Sequence, residues 1–176
     1  MIYQPADDSF LLQKYVKKYS KGKVLDLGCG SGIQALTALE NTDDVLASDI
    51  SQEAVDYCKK IGINTIKSDL FSNINKKFDL IIFNPPYLPR DEVDKEFSLA
   101  LSGGEKGNEL IEKFLKEAKK HLDKNGKILI IFSSITSDVI KLFKKYKYKF
   151  RKLDQLDFFF ERIYVYIIYT KQIIKY

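Results

Sequence analysis

The stretch Asp79-Leu-Ile-Ile-Phe-Asn-Pro-Pro-Tyr87 predicts where a buried strand ends. Its apolar residues form the short continuous run that is typical of a strand covered on both faces of a parallel sheet. Pro85 and Pro86 cannot donate backbone hydrogen bonds, so the strand is expected to stop before them. Open α/β sheets bind their ligands at the carboxyl ends of their strands. We therefore expect the side-chain amide of Asn84, beside the ring of Tyr87, to recognise a planar NH2 group.

Strand and helix patterns alternate on both sides of this stretch. Strands are predicted at 23–27, 45–49, 64–67, 79–83, 127–133, 150–156 and 163–170. Helices are predicted at 33–40, 108–122 and 137–146, with a fourth that Ser51 caps and that ends near 61. Repeated strand–helix units imply a doubly wound α/β fold, with a mostly parallel, seven-stranded, Rossmann-like sheet. Because little separates the last two strands, one of them is expected to be antiparallel.

Composition bounds the class of protein. A chain of 176 residues with 45% hydrophobic content suits a single globular domain over residues 1–176. No apolar run reaches the roughly 18 residues of a membrane span, and the N-terminus lacks a signal-peptide pattern. Cys29 and Cys58 lack metal-ligand spacing, so we expect no metal site, no disulfide scaffold and a cytoplasmic location. The net charge of +5 permits an acidic partner such as RNA but is weak evidence for one.

A second chemical site is predicted at Asp26-Leu-Gly-Cys-Gly-Ser-Gly32, between the first strand and the first predicted helix. Gly28, Gly30 and Gly32 allow a tight turn and the close approach of a ligand. Their spacing differs from the Gly-x-Gly-x-x-Gly of a dinucleotide-binding loop. An ordinary tight turn is the alternative explanation of the glycines alone.

Three aspartates stand at the ends of the first three strands. Asp26 is suited to an ammonium group or a water, Asp49 to a ribose diol, and Asp69 to an adenine amine. An amino group, a ribose and an adenine together describe S-adenosylmethionine. The three aspartates therefore favour a cofactor site over an ordinary turn.

With these motifs the chain resembles the class I S-adenosylmethionine methyltransferases of the HemK/PrmC glutamine-methylating family. The resemblance covers nearly the whole sequence. Its motifs are Tyr3-Gln-Pro-Ala-Asp-Asp-Ser-Phe-Leu-Leu12, the glycine run, Ser68-Asp-Leu-Phe71, Asn84-Pro-Pro-Tyr-Leu-Pro89 and Ala100-Leu-Ser-Gly-Gly104. The N-terminal stretch resembles the short archaeal and eukaryotic branch, which modifies the glutamine of the Gly-Gly-Gln motif in class-1 release factors. Only about 20 residues precede the first strand, so the helical substrate-binding domain of the bacterial branch is expected to be absent.

The resemblance implies roles for particular residues. Asn84, Pro85 and Tyr87 are the expected catalytic group: the Asn84 side-chain oxygen and the Pro85 carbonyl each accept one hydrogen of the substrate NH2, while Tyr87 lies against the amide. The expected cofactor-binding residues are Ser9, Asp26, Gly28, Gly30, Gly32, Asp49, Asp69, Leu70 and Asn84. The family also implies a small zinc-binding activator protein that forms a heterodimer and covers an apolar surface of the enzyme.

Other functions stay open on the sequence. The Asn-Pro-Pro-Tyr element is shared with enzymes that methylate the exocyclic amine of adenine or guanine in RNA or DNA, and a non-catalytic methyltransferase-like binding subunit is a third possibility. Seven basic residues within 141–152 fit either a solvated surface or a patch facing RNA. The long 85–107 segment is expected to be a functional loop.

Several residues have an ordinary structural interpretation beside the functional one. Ser9 is explained equally well as a helix N-cap, and Cys29 as a small residue in the glycine turn. His121 is expected to be a favourable surface charge at a helix C-terminus. Phe158–Phe160 and the later tyrosines are expected in the sheet core.

Overall fold

The computed structural model describes residues 2, 4–89 and 103–170. Its strands are β1 (Val24–Leu27), β2 (Val45–Asp49), β3 (Thr65–Lys67), β4 (Phe78–Phe83), β5 (Leu122–Ser133), β6 (Lys149–Asp157) and β7 (Arg162–Tyr169). Its helices are α1 (Asp7–Tyr19), α2 (Ile33–Leu39), α3 (Gln52–Lys60), α4 (Glu109–Ala118) and α5 (Val139–Lys145), with a 3-10 turn at Lys119–His121.

The seven strands form one mixed sheet in the order β3-β2-β1-β4-β5-β7-β6. Strands β1 to β5 pair in parallel, and β7 is antiparallel to both β5 and β6. The predicted seven-stranded α/β sheet with an antiparallel C-terminal strand is therefore confirmed. The four residues between β6 and β7 form a tight turn, in which the Phe158 amide donates to the Glu161 carbonyl.

Helices cover both faces of the sheet. On one face α1, α2 and α3 pack over residues such as Val24, Leu129 and Ile131. On the other face α4 and α5 pack over Ile128, Ile130 and Phe132. The alternation along β5 shows why this strand reads as a continuous apolar run: both of its faces are buried. None of the helices in the described ranges has the length and apolar character needed to cross a membrane.

Two predicted boundaries near the middle of the chain are wrong. β5 begins at Leu122 instead of 127, and α4 ends at Ala118 before the short 3-10 turn. Leu122 continues the helical spacing of α4 in the sequence, but it pairs with Phe78 at the start of β4. The register of the β4–β5 pairing shifts between Phe78 and Leu80. This irregularity lets β5 pair with β4 both at Leu122 and from Lys127 onward.

The aromatic C-terminal segment divides into two environments. Tyr164 and Tyr166 lie on β7 and pack against the core, as predicted. Phe158–Phe160 were predicted in the core, and this is wrong: they form the β6–β7 turn, where Phe159 is 92% exposed and Phe160 is 87% exposed. A run of three aromatic residues does not alternate, so periodicity could not separate a turn from a strand here.

Candidate functional site

The carboxyl edge of the sheet brings the predicted site residues together. Strands β3, β2, β1 and β4 are consecutive neighbours, and Asp69, Asp49, the glycine loop and Asn84 follow them in that spatial order. Leu27 pairs with Ser48 on one side and Phe83 on the other. Gly28, Asp49 and Asn84 are the next residues on the three strands, so they stand at the same level of one edge.

The glycine loop turns sharply between β1 and α2. The amides of Gly28 and Cys29 both donate to the Ser48 carbonyl, at 2.8 and 2.9 Å. Gly28 has φ +75°, and a Cβ there would meet nothing within 4 Å, so open space adjoins this backbone. Gly32 has φ +77° and caps α2, and a Cβ there would lie 2.6 Å from Ile63 Cδ1. One glycine therefore borders space for a ligand, and the other permits tight packing.

Asp49 is held at the end of β2 by two backbone amides. Its Oδ2 accepts from Gly30 N at 2.9 Å, and its Oδ1 accepts from Ser51 N at 2.8 Å. Ser51 in turn caps α3 by accepting from the amide of Ala54, as predicted. A carboxylate oxygen has more than one lone pair, so Asp49 retains capacity for hydroxyl donors. Its aim is fixed by both of its neighbouring loops.

The Asp26 side chain is buried between β1 and α2 and does not project into solvent at the end of the strand. The side chain is 2% exposed, and Oδ2 accepts from Ala35 N at 3.0 Å, which ties β1 to the first turn of α2. Burial raises its pKa to about 7, the Ala35 amide opposes that rise, and the charge of Asp49 adds to it. A cation arriving beside Asp26 would favour the ionised form.

Asp69 and Leu70 form the outer end of the edge. Asp69 is exposed two residues beyond β3, and its amide donates to Ser72 Oγ at 3.1 Å. Leu70 adopts φ +47°, which is uncommon for a leucine, while its side chain packs against the core. Strained backbone of this kind clusters at ligand sites.

The Asn84–Tyr87 element follows β4 as predicted, and its side chains converge on a residue that the sequence did not single out. Asp8, in the first turn of α1, is 5% exposed. Its Oδ2 accepts from Asn84 Nδ2 at 3.1 Å and from the Tyr87 hydroxyl at 3.3 Å. The Tyr87 carbonyl accepts from Thr136 Oγ1 at 2.8 Å, so the element is also fixed to the loop after β5. Local spacing could not reveal a contact between residues 76 positions apart.

Ser9 lies beside Asp8, and its predicted role as an N-cap is wrong. The helix begins at Asp7 with Ala6 as N-cap, which places Ser9 at its third position. The amide and the hydroxyl of Ser9 both donate to Asp8 Oδ1, at 2.6 and 3.1 Å. Its carbonyl accepts from Gln34 Nε2 at 2.9 Å, which joins α1 to α2. Ser9 therefore helps to hold Asp8, the acceptor of the hydrogen bonds from Asn84 and Tyr87, in place.

Cys29, Cys58 and His121 make contacts that indicate a role in packing. Cys29 and Cys58 are both buried, with their Sγ atoms 3.6 Å apart, and burial raises the pKa of each thiol. A thiol with a raised pKa is a weak nucleophile, so the pair serves packing under the glycine loop. His121 ends the 3-10 turn, stacks on Phe71 with ring centroids 4.3 Å apart, and its Nδ1 lies 3.2 Å from the Lys76 carbonyl.

The basic 141–152 segment spans the end of α5 and the start of β6. Lys141 pairs with Asp138 and Lys145 with Glu112, each at 2.8 Å. Arg151 donates to the Tyr19 hydroxyl at 3.3 Å. Several of these cations thus have partners within the chain. Most of the 85–107 segment, and with it most of the Ala100–Gly104 motif, lies outside the described residues, as does Tyr3.

The fold and this edge define a methyltransferase, and comparison with known proteins agrees. The model of the methyltransferase small domain family matches residues 6–154, so the chain belongs to that family. It is 35% identical over 147 residues to a Methanocaldococcus jannaschii protein provisionally named a protein N5-glutamine methyltransferase, covering 78% of this chain and 75% of that one.

Two further matches extend the comparison. The release factor glutamine methyltransferase of Streptococcus pneumoniae is 37% identical over 123 residues, which cover 61% of this chain and 44% of that protein. Among solved structures, the E. cuniculi Mtq2–Trm112 complex, described as responsible for methylating the termination factor eRF1, matches with a TM-score of 0.79 at 22% identity, covering 97% of this chain and 99% of that one. The predicted resemblance to glutamine methyltransferases is confirmed.

Proposed function

We propose that the chain transfers a methyl group from S-adenosylmethionine to the side-chain nitrogen of a glutamine, in the Gly-Gly-Gln motif of a class-1 release factor. The observation that carries the proposal is the position of Asn84. Its amide stands at the end of β4, on the strand next to the glycine loop, held by a buried carboxylate. The relatives named as glutamine methyltransferases support the choice of acceptor.

The residues of the edge fit the cofactor in its extended form. Asp69 and Leu70 hold the adenine, Asp49 the ribose diol, and Gly28, Gly30 and Asp26 the amino-acid end. Four adjacent strands span roughly 14 Å at about 4.8 Å a step, which suits an elongated ligand lying across them. The open space beside Gly28 and the fixed, partly exposed Asp49 support this assignment. When bound, the cofactor supplies an electrophilic sulfonium methyl group.

The acceptor amide is a poor nucleophile, because its lone pair is delocalised into the carbonyl. The side-chain oxygen of Asn84 and the carbonyl of Pro85 each accept one of its hydrogens, and Tyr87 lies against its flat face. Pro85 restricts Asn84 to extended backbone angles, which steadies its aim. Holding the two reacting groups together and oriented contributes roughly 7–11 kcal/mol in favourable cases. The nitrogen becomes acidic as it is methylated, so the residues of the edge need no histidine base.

We infer that a small activator protein, zinc-binding in the resembling family, pairs with this chain. The support is the two-protein composition of the matched Mtq2–Trm112 complex. Translation ends in the cytoplasm, and the two free thiols suit that reducing compartment. Co-expression with such an activator, followed by size-exclusion chromatography, tests the pairing: a 1:1 complex is expected, and separate elution of the two proteins would contradict it.

Methylation of an exocyclic base amine is the second candidate, because Asn84 and Pro85 offer the same two acceptors to any planar NH2 group. Labelled S-adenosylmethionine separates the candidates when the protein, with and without the activator, is incubated with release factor, RNA or DNA. Label on the release factor is expected. Label on nucleic acid alone would overturn the proposal, and label on none of the acceptors would favour a binding subunit.

Asn84→Ala tests directly whether the Asn84 side-chain amide is needed for methyl transfer. The variant is expected to bind the cofactor and to lose methyl transfer by about 10²-fold or more, as happens when a preorganised hydrogen-bonding group is removed. Calorimetry with S-adenosylhomocysteine and single-turnover transfer measure the two properties separately. Near-normal turnover by Asn84→Ala would refute the role of this amide.

A further inference from the structure

Buried Asp8 and half-buried Asn84 make a polar contact that allows only one orientation of the Asn84 amide. A carboxylate has no hydrogen to donate, whereas a carboxamide has one donating end and one accepting end. Asn84 must therefore turn its NH2 toward Asp8, as the 3.1 Å contact between Nδ2 and Oδ2 records. Its oxygen is then directed away from Asp8. The identity of residue 8 thus fixes the orientation of the residue 84 amide.

The carboxyl group of Asp8 is itself held in one orientation. The backbone amide of Ser9 donates to Oδ1 at 2.6 Å, and the Ser9 hydroxyl donates to the same atom at 3.1 Å. The Tyr87 hydroxyl joins Asn84 on Oδ2 at 3.3 Å. Because Asp8 is only 5% exposed, water has little access to its carboxylate and cannot easily replace these donors. One oxygen therefore serves α1, and the other serves the Asn84–Tyr87 element.

We propose that Asp8 is a positioning residue for methyl transfer: it locks the Asn84 amide with its oxygen toward the acceptor, so that only an NH2 donor is recognised. The proposal rests on the proposed function and deepens it. Asp8 acts through Asn84 and Tyr87, without contact to the reacting atoms. Asp8 contributes by fixing which end of the Asn84 amide faces the acceptor. If the amide were turned round, its NH2 would face the NH2 of the acceptor, and two donors cannot form a hydrogen bond.

The substitution Asp8→Asn separates polarity from shape. The Ser9 backbone amide can only donate, so the oxygen of the new amide must stay at the Oδ1 position. Its NH2 then occupies the Oδ2 position and donates toward Asn84. Asn84 must respond by turning its oxygen to residue 8 and its NH2 to the acceptor. The nearly isosteric substitution thus inverts the acceptor site.

Asp8→Ala has a different effect, because it removes the partner without imposing the wrong one. The Asn84 amide is then free to adopt either orientation, and a half-populated competent state lowers the rate only a few-fold. We expect Asp8→Asn to lower single-turnover transfer to the release factor by about 10²-fold, and Asp8→Ala by less than about tenfold. A purely structural role for Asp8 predicts the opposite ranking, since asparagine preserves the shape better than alanine does.

The double variant Asp8→Asn/Asn84→Asp tests the same logic by exchange. The amide at position 8 now donates to a carboxylate at position 84, whose second oxygen accepts from the substrate. Transfer is expected to recover at least about tenfold over Asp8→Asn alone. Asn84→Asp by itself places two carboxylates face to face and is expected to be poor. Asp7→Asn, an exposed neighbour in the same helical turn, removes the same charge and is expected to transfer normally.

A measurement without any acceptor keeps this inference separate from the proposed function. In the wild-type protein, NMR should show Asn84 side-chain NH2 protons that exchange slowly with solvent and shift in Asp8→Asn but not in Asp7→Asn. Fast exchange in the wild type, a milder loss in Asp8→Asn than in Asp8→Ala, or no recovery in the double variant would each overturn the inference. A wild-type protein that shows the NMR signature but methylates no release factor would refute only the proposed function.

Discussion

Asp26 shows how burial shifts the pKa of a single residue at the proposed cofactor site. In the folded chain its pKa is raised to about 7, from an ordinary value of 3.8, mainly because the carboxyl group is removed from water. Between these two values the folded protein retains a proton that the unfolded chain has released. By linkage, the free energy of unfolding falls as pH rises through this interval, by up to about 1.4 kcal/mol per pH unit.

Asp26→Asn should therefore flatten the pH dependence of stability between about pH 4 and pH 7. The asparagine cannot titrate, so the contribution of this group disappears. Urea unfolding at several pH values, without cofactor, measures the effect, and the exposed Asp43→Asn serves as the charge-matched control. An unchanged slope in Asp26→Asn would show that another group titrates in this range.

Ionisation of Asp26 should have opposite effects on stability and on cofactor binding: stability falls as pH rises, whereas affinity for the cofactor increases. The proposed role of Asp26 requires the ionised form beside an ammonium group, so affinity for S-adenosylhomocysteine should rise between pH 6 and pH 8. Calorimetry over this range is the measurement, and Asp26→Asn should bind weakly and without this trend. Equal pH dependence in both proteins would argue that the ammonium lies elsewhere.

Residues differ in how much of their role the sequence discloses. Asn84 could be predicted, because an apolar run and two prolines mark the strand end locally. Asp8 could not be predicted, because its role depends on α1 crossing the edge of the sheet to meet a residue 76 positions away. The N-cap interpretation of Ser9 is wrong for the same reason, because a serine before an apolar run resembles an N-cap until its neighbours in space are known. Its expected place near the cofactor stays a prediction.

At the scale of elements, left-handed glycines of two kinds join strands to helices: Gly32 lies in the turn between β1 and α2, and Gly62 lies in the turn between α3 and β3. Gly32 is backed by Ile63 and Cys58, whereas Gly62 has φ +88° with nothing within 4 Å of a Cβ position. The two glycines thus share a left-handed backbone and differ in the space behind it. Gly28 shares the open surroundings of Gly62 but adjoins the proposed cofactor position.

Gly32→Ala should therefore lower the free energy of unfolding more than Gly62→Ala does, by about 1–3 kcal/mol. Both substitutions share the cost of the left-handed backbone, about 1–2 kcal/mol, and only the first forces Ile63 and Cys58 apart. Chemical denaturation of the two variants gives the comparison. Equal losses would mean that the packing beneath α2 adapts without cost.

The boundaries of elements were the least predictable feature of the fold. Leu122 satisfies the apolar spacing of α4 and the pairing of β5 equally well, and only its contact with Phe78 decides between them. Phe158–Phe160 have the composition of a strand, but the hairpin needs residues for its turn. In both cases local preference is overridden by pairing with a distant strand.

The whole molecule arranges four neighbouring strand ends into one continuous site. The order β3-β2-β1-β4 places the proposed adenine, ribose, amino-acid and acceptor positions in sequence along a single edge. The sequence predicted polar residues at the carboxyl ends of parallel strands, but the order of the strands comes from the structure, because local patterns do not say which strands pair. The identity of the acceptor is not contained in that layout, since glutamine and nucleobase amines present the same planar NH2 group.

In the proposed reaction a glutamine amide nitrogen receives the methyl group. Peptide mapping by tandem mass spectrometry, on release factor incubated with the protein, its activator and S-adenosylmethionine, tests this most directly. We expect the added mass of one methyl group on the glutamine of the Gly-Gly-Gln motif, and none when Asn84→Ala replaces the wild-type protein. A methyl group on another residue, or an unmodified release factor beside methylated RNA, would contradict the account.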